Sequence, residues 1–433
     1  MGASRGPAGP GSCYVGGPMT RRPSLGAIFL TVFLDLLGFS LVLPFLADEA
    51  RTTFHTTPFT GTLLSAIYSL MQFLFVPVWG RVSDRVGRRP VMLASIASTA
   101  VGMLGLALGL LRAEHVGWLF AARALSGIAT ANLGTASAYI ADVTPPEERA
   151  KGMGMIGMAF GLGFILGPGI GGALSGIAIE GRLGVVPCLL AAGLSVVNFV
   201  WAYFGLGESL PPEKRGAPVD ESLGRRLSPF DLTAARAAFA REGIALGVFV
   251  NFAIILSFTN LDQTFRYFNK DLFGMSAMQT GGLLAFTGVV AAGVQGGLVR
   301  RLAKKHPEQR LIRAGVGIQA VAFATMVAAP SIGRGALYVA CALLALGNGL
   351  SQPSVSAYIS KRADPKAQGA TLGTNQSMSS LARVFGPAMG GWLYGNLGAR
   401  APYMAAAIGM CLAFLVALRL VSANAPAPPA RET

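Results

Sequence analysis

The sequence is poor in charge, in cysteine and in histidine. Charged residues make up 13% of the 433 residues, whereas soluble domains carry about a quarter. The four cysteines are isolated from one another, and the three histidines (His55, His115 and His306) lie outside the long apolar runs. These scarcities argue against a disulfide framework and a metal centre, and the apolar runs contain no HExxH motif and no serine–histidine pairing. We therefore expect no metal, no cofactor and no enzymatic activity.

Apolar residues dominate instead, at 52% of the chain, with a mean hydropathy of +0.55. Apolar runs of roughly 20 residues, long enough to cross a bilayer, recur along the sequence. They predict an all-α membrane protein with about twelve spanning helices and not a barrel, whose strands would be shorter and alternating. The predicted spans are residues 24–47, 58–80, 90–111, 116–141, 150–178, 184–206, 243–268, 277–299, 311–330, 335–359, 368–396 and 401–422.

Basic residues outnumber acidic ones by 35 to 20, which gives a net charge of +15. They lie mainly at the termini and in the loops after even-numbered spans. This asymmetry follows the positive-inside rule, so it predicts that both termini are cytoplasmic and does not indicate a nucleic-acid partner. Arg21 and Arg22 precede a full-length span, so we expect no cleavable signal peptide, and Met19 is an alternative start. The few basic residues in the opposite loops are Arg51, Arg112, Arg182, Lys270, Arg334 and Arg400.

The chain also divides into two related halves. Ser137 to Ile140 recur as Ser356 to Ile359, and the same spacing separates two Gly-Pro pairs, at 167–168 and 386–387. Such duplication predicts two pseudo-symmetric six-helix bundles with a substrate site between them, as in secondary transporters. The predicted segments are a disordered cytoplasmic N-terminus at 1–23, bundles at 24–206 and 242–422, a cytoplasmic linker at 207–241 and a tail at 423–433.

A compact signature follows the second span, reading Gly80-Arg81-Val82-Ser83-Asp84-Arg85-Val86-Gly87-Arg88-Arg89-Pro90. Its glycines permit a tight turn, and its aspartate can form charge-assisted hydrogen bonds with arginine. A simple positive-inside anchor needs neither feature. The run resembles the GxxxDRxGRR loop of the major facilitator superfamily, which serves there as a conformational latch between the halves. The resemblance assigns Gly80, Asp84, Arg85, Gly87, Arg88 and Arg89 to a latch, with Asp142 as a latch partner or a helix cap.

The fifth predicted span is rich in glycine, with Gly163, Gly167, Pro168, Gly171 and Gly172 towards its end. Proline within a helix kinks it, and glycines let another helix approach its backbone, so a packing role is one interpretation. The pattern also resembles the antiporter motif of the drug/proton antiporter branch of the superfamily. That resemblance implies export by exchange.

Three charged residues within predicted spans suit proton coupling: Asp262, Asp35 and Arg123. A carboxylate in a low-dielectric environment binds a proton more readily than in water. We favour Asp262 as the proton site, with an ion pair to Arg266 as the alternative, whereas the alternative for Asp35 is a structural hydrogen-bonding role. An arginine at the place of Arg123 is linked to proton transfer in the superfamily; its alternative is snorkelling to the outer interface.

Arg383 is another cation within a predicted span, where it would bind an anionic substrate or pair with a carboxylate. Other polar residues in the spans either join helices or line a substrate cavity. The candidates for the cavity are Arg266, Arg383, Gln72, Asn132, Asn251, Gln263, Gln319, Asn348, Gln352, Asn375 and Gln376.

From Thr20 onward the sequence resembles the tetracycline-efflux group of drug/proton antiporters, notably over 34–44, 85–90 and 139–172. The resemblance implies proton-driven efflux of small amphiphilic molecules, as in antibiotic resistance. It also implies a small-molecule substrate, protons and the lipid bilayer as partners, and we expect a monomer. Tetracycline pumps carry an acid in the ninth span where this sequence has Gln319, so the substrate stays open. The alternatives are a metabolite, sugar or organic-anion carrier using Arg266 and Arg383, and a non-transporting scaffold or sensor on the same fold.

Overall fold

The computed structural model describes most of the chain between the two termini. The N-terminal segment predicted to be disordered, most of the predicted linker and the C-terminal tail lie outside the described residues. The described residues are 24–112, 114–130, 132–144, 149–174, 177–182, 184–210, 243–363 and 368–420.

The described residues are largely helical, and their one β-bridge joins Ile179 to Arg182. We refer to the described residues up to 210 as the N-terminal half and to those from 243 as the C-terminal half. The helices of the N-terminal half are α1 Leu25–Phe54, α2 Pro58–Val86, α3 Arg88–Arg112, α4 Gly117–Ala129, α5 Asn132–Val143, α6 Arg149–Leu174 and α7 Val185–Gly205. Those of the C-terminal half are α8 Ile244–Phe273, α9 Ala277–Gly293 with a π-helical continuation Val294–Val299, α10 Arg300–Lys305, α11 Glu308–Ile332, α12 Gly335–Arg362, α13 Gln368–Leu397 and α14 Ala401–Ala417.

Eight helical segments among the described residues are long and apolar enough to cross a bilayer, and α14 is apolar but shorter. This agrees with the predicted all-helical membrane fold, while the count of about twelve spans stays a prediction. Several helix boundaries differ from the sequence prediction, and two of the differences are the most important for the fold. The first helix continues to Phe54, and the predicted fourth span consists of two helices that meet around Thr130.

The signature after α2 is also folded differently from the prediction. Gly80 lies inside α2 and takes no part in a turn. Gly87 alone turns the chain, with a positive φ of 119° that favours glycine, and α3 begins at the next residue. The turn therefore needs only the second of the two glycines.

The two halves use equivalent residues for equivalent contacts. In the N-terminal half α6 packs on α1, where Gly167 lies directly against Ser40. In the C-terminal half α13 packs on α8, where Gly386 lies against Thr259. The repeat that was read from the sequence thus relates Gly167 to Gly386 and Ser40 to Thr259, and it extends to three-dimensional packing.

Close contacts between the halves follow the same symmetry. Gly172 of α6 touches Gly281 of α9, and Gly391 of α13 lies against Thr62 of α2. These residues are near the end of the bundle at which α1 joins α2, which we call the far end. The opposite end, at which α1 begins and α14 ends, is the near end. Two glycine-lined contacts therefore hold the halves together at the far end.

Candidate functional site

A cavity of about 430 Å³ lies between the two halves. Its wall is largely apolar, with Phe39 of α1 on one side and Phe258 and Phe265 of α8 on the other. A volume of this size suits a drug-sized molecule. The polar residues that line it are Ser65, Tyr68, Ser69, Thr259, Asp262, Gln263, Thr287, Gln295, Asn348, Gln352 and Arg383.

Asp262 carries the one carboxylate among the described residues that line this cavity. It is half-buried, and its Oδ2 accepts a hydrogen bond of 2.6 Å from Nε2 of Gln263. The Oε1 atom of Gln263 in turn accepts a hydrogen bond of 2.6 Å from the Ser65 hydroxyl. Because Ser65 belongs to α2, this chain of hydrogen bonds joins the two halves.

Arg383 supplies the one guanidinium among the described residues that line the cavity. It lies in α13, just before the Gly386-Pro387 pair, and Pro387 also lines the cavity. Within the described part of the chain, neither Arg383 nor Asp262 forms an ion pair. The cavity therefore offers one negative and one positive group to a bound molecule.

Arg123 of α4 and Asp35 of α1 lie beside the cavity, and neither is among the described residues that line it. Arg123 is completely buried, so it does not snorkel to the outer surface. Its guanidinium lies over the rings of Phe39 and Tyr68, 5.6 and 5.0 Å from their centroids, and no described residue accepts a hydrogen bond from it. Asp35 is 6% exposed and lies one helical turn before Phe39. The Arg123 charge is thus separated from the cavity by the aromatic side chains of Phe39 and Tyr68, which line it.

A cluster of charged residues joins the halves at the far end. The Asp48 carboxylate of α1 lies 3.2 Å from Nε of Arg266 and 3.0 Å from Nζ of Lys270, both in α8. Arg51 pairs with Asp271 at 2.9 Å in a more exposed position. We call Asp48, Arg51, Arg266, Lys270 and Asp271 the far-end cluster. The predicted alternative for Asp262, an ion pair with Arg266, is therefore wrong, since Arg266 pairs with Asp48.

The cluster has further support from neighbouring residues. The Tyr267 hydroxyl donates a hydrogen bond of 2.6 Å to the backbone carbonyl of Ala47, again between the halves. Beside Asp48, burial and then the Asp48 carboxylate raise the pKa of Glu49, while Gly184, Lys270 and Arg266 act in the opposite direction. These contacts show that the structure is closed at its far end.

The sequence profile of the Major Facilitator Superfamily matches residues 28–387 and 336–433.

The chain belongs to the Major Facilitator Superfamily.

Its relatives in this superfamily include two proteins of similar length. Major facilitator superfamily domain-containing protein 10 of Bos taurus is 31% identical, over 97% of this chain and 98% of the relative. Tetracycline resistance protein, class C, of Escherichia coli is 32% identical, over 85% of this chain and 89% of the relative. The crystal structure of the human organic anion transporter MFSD10 (TETRAN) has 25% identity and a TM-score of 0.68, with coverage of 91% of this chain and 98% of that one. The predicted resemblance to tetracycline efflux proteins is confirmed, and the chain is a multi-pass membrane transporter and not an enzyme.

The residues of the predicted latch make contacts within the N-terminal half. Arg88 is buried and pairs with Asp84 and, at 3.2 Å, with Asp142. The Glu208 carboxylate accepts hydrogen bonds from the backbone N–H groups of Arg88 and Arg89, at 2.9 and 3.2 Å. Asp84, Arg85 and Val86 are exposed. With the far end closed, the latch residues join α2, α3, α5 and the segment after α7. A contact between the latch and the C-terminal half stays a prediction.

The glycines of the antiporter motif let α6 approach two other helices. Gly163, Gly167 and Gly171 form one face against α1, and the Ser40 hydroxyl donates a hydrogen bond of 2.7 Å to the carbonyl of Gly163. Gly172 faces α9 of the other half, and Pro168 lines the cavity. The motif thus has a packing role that reaches both the cavity and the contact between the halves.

The remaining cavity candidates are divided between two environments. Gln263, Asn348, Gln352 and Arg383 line the cavity, whereas Arg266 belongs to the far-end cluster. Asn251 donates to Asn375 and Ser379, at 2.9 and 3.0 Å, and Gln319 donates to Ser351 at 2.8 Å, so these residues join helices within the C-terminal half. Gln72 and Gln376 are not among the described lining residues, and the side chain of Asn132 lies outside the described part.

Sequence reasoning missed several residues of the site. The lining residues Ser65, Tyr68 and Ser69 follow one face of α2, and Asp48 holds the far-end cluster together. Asp48 was overlooked because the apolar run ends at residue 47. A signal was available, since Arg266 and Lys270 are four residues apart on one helix face and require an acidic partner.

Proposed function

We propose that this transporter exports small amphiphilic molecules in exchange for protons, by alternating access to the cavity between its halves. The observation that carries the proposal is the pairing of one carboxylate, Asp262, with a largely apolar cavity between the halves. An apolar wall with few polar groups suits an amphiphilic ligand. The kinship with tetracycline resistance proteins supports the same function.

Asp262 is the group that we assign to proton coupling. An ionised carboxylate in an apolar cavity is costly, and a proton or a cationic substrate removes that cost. Binding of either one therefore changes the relative free energies of the two access states, as exchange requires. Arg123 and Asp35 stay secondary candidates, because each is buried beside the cavity and not in its wall.

The orientation that we propose places the near end in the cytoplasm. Basic residues concentrate at this end, which is the arrangement expected of cytoplasmic loops. With its far end closed, the structure then corresponds to the state that takes up substrate from the cytoplasm or the inner leaflet.

A second candidate function is the transport of organic anions. Arg383 supports it, because it offers a guanidinium without an ion-pair partner among the described residues. The relative of known structure is named an organic anion transporter. In this case Arg383 would bind the substrate directly and Asp262 would serve only the coupling.

Purified protein in vesicles with an internal pH dye distinguishes these functions. A pH gradient is challenged with lipophilic cations, tetracyclines, sugars and organic anions, using the wild type, Asp262→Asn and Arg383→Gln. Proton exchange predicts substrate-triggered proton flux that Asp262→Asn abolishes. Loss of affinity for anions alone in Arg383→Gln would favour the organic-anion carrier. Transport without proton movement in the wild type would refute proton coupling and make Asp262 a structural residue.

A further inference from the structure

The hydrogen-bond chain from Asp262 through Gln263 to Ser65 connects the cavity carboxylate to the opposite half. We infer that Gln263 and Ser65 are positioning residues that keep the far end closed while Asp262 is ionised and free of substrate. They would thereby prevent the empty carrier from changing its access state. The inference rests on the proposed proton exchange and adds the device that makes exchange obligatory.

The direction of each hydrogen bond is fixed by chemistry. An ionised carboxylate can only accept hydrogen bonds, so the amide NH₂ of Gln263 must face Asp262. The amide oxygen then faces Ser65, whose hydroxyl must donate. Both bonds are 2.6 Å long, and Gln263 and Ser65 are 4% and 5% exposed. Water therefore does not compete readily for either bond.

The hydrogen-bond chain from Asp262 to Ser65 lies next to the far-end cluster, on the side towards the middle of the bundle. Gln263 is three residues before Arg266 on α8, and Ser65 is one helical turn after Gly61, which packs against Tyr267 and the carbonyl of Ala47. The same two helices, α2 and α8, thus carry both this hydrogen-bond chain, which we call the link, and contacts that close the far end. Loss of the link frees α2 from α8 at the level of the cavity.

Protonation and substrate binding act on the same acceptor. Hydrogen bonds to a charged group are about twice as strong as neutral ones, so a proton on Asp262 weakens the bond from Gln263. A substrate with an ammonium or hydroxyl donor takes over the carboxylate directly. In either case the carboxylate no longer holds the Gln263 amide in one orientation. The hydrogen bond between Gln263 and Ser65 weakens as a result. The empty, ionised carrier alone retains the full link.

The other titratable groups near Asp262 do not compete with it for protons between acidic and alkaline pH. Its own helix contributes Arg266, while the packed elements contribute Tyr68 of α2, Cys341 of α12, Arg383 of α13 and Tyr403 of α14. Arginine keeps its charge in this range, and phenols and thiols are ordinarily protonated below alkaline pH. Asp48 and Glu49 are acidic groups at the far end, and burial raises the pKa of Glu49. The decisive comparison is therefore made at mildly alkaline pH, below the range in which phenols and thiols ordinarily lose their protons.

Double electron–electron resonance in lipid nanodiscs tests the inference without any substrate. One spin label replaces His115 (His115→Cys), between α3 and α4, and the other replaces Ile332 (Ile332→Cys), the last residue of α11. Both positions are at the far end, in different halves, and Cys13 and Cys411 are serine in this background. Cys188 and Cys341 are buried and stay in place. At alkaline pH we expect Ser65→Ala to raise the ratio of open to closed far ends by roughly two- to tenfold, the effect of one lost hydrogen bond.

Matched variants separate this role from general damage. Ser65→Thr keeps a hydroxyl and should restore the wild-type ratio. Ser69→Ala removes another cavity-lining hydroxyl one turn along α2 and should leave the ratio unchanged. The inference is overturned when Ser65→Ala and wild type show the same ratio at alkaline pH. Failure of the proposed function appears separately, as wild-type vesicles that transport without proton movement.

Discussion

Gly281 of α9 touches Gly172 of α6 across the boundary between the halves, and a single added methyl group would crowd this contact. A Cβ atom on Gly281 would overlap the Cα atom of Gly172, which is backbone and cannot rotate away. The adjacent Gly282 has no atom within 4 Å of the position where its Cβ would lie. Gly281→Ala and Gly282→Ala therefore make the same chemical change on the same helix, and only the first meets the other half.

The expected magnitude follows from this geometry. Overpacking of a tight contact costs about 1–3 kcal/mol. The contact exists where the far end is closed, so the cost falls on that state and is relieved when α6 and α9 separate. Alanine also raises helix propensity by about 1 kcal/mol, but it does so in both access states and in both variants. We expect Gly281→Ala to shift the ratio of open to closed far ends by about 5- to 150-fold relative to Gly282→Ala.

The His115 and Ile332 spin-label pair measures this ratio directly. Gly281→Ala should move the distance distribution to longer values, and Gly282→Ala should reproduce the wild type. Thermal unfolding serves as the control for general damage, because a defect confined to the contact between halves leaves each half intact. Identical distance distributions for the two variants would refute the view that glycine contact closes the far end.

Three further predictions concern charge and backbone geometry. Asp48→Asn leaves the buried Arg266 without its carboxylate partner and should destabilise the state with a closed far end by about 3 kcal/mol. Asp271→Asn affects the more exposed pair and should destabilise the same state by at most about 1 kcal/mol. Equal shifts in the spin-label distances for the two variants would contradict this prediction. Burial raises the pKa of Glu49 in the folded protein, so the neutral carboxyl contributes stability below the ordinary pKa of glutamate, and this contribution is lost as the pH rises through the raised pKa. Glu49→Gln removes this titration, so the melting temperature of the variant should decline less with rising pH than that of the wild type. Gly87→Ala forces a residue with φ of 119° against the Glu208 carboxylate and should lower stability by about 1–3 kcal/mol, and an unchanged melting temperature would show that Glu208 simply moves aside.

The sequence predicted the helices well because each apolar run must satisfy its own backbone hydrogen bonds in lipid. It did not predict partners between the halves. Asp262 and Arg266 are four residues apart on α8, yet Arg266 turns to Asp48, which lies far away in the sequence. Likewise Asn251 faces α13 and not the cavity, because helix rotation is set by packing. Composition identifies which residues are polar within a span, but only the three-dimensional packing decides which face they occupy.

The two ends of the bundle differ in a way that bears on how the carrier alternates. At the far end, closure depends on contacts between the halves, since Arg266 pairs with the Asp48 carboxylate and Gly172 packs against Gly281. At the near end, Arg88 satisfies its charge with residues of its own half. Separation of the halves there therefore leaves Arg88 paired, whereas separation at the far end exposes Asp48 and Arg266 to new surroundings. Hydration at the membrane surface offsets that loss, so the balance between the two states depends on a few contacts at the far end, and a proton or a substrate at Asp262 is well placed to alter it.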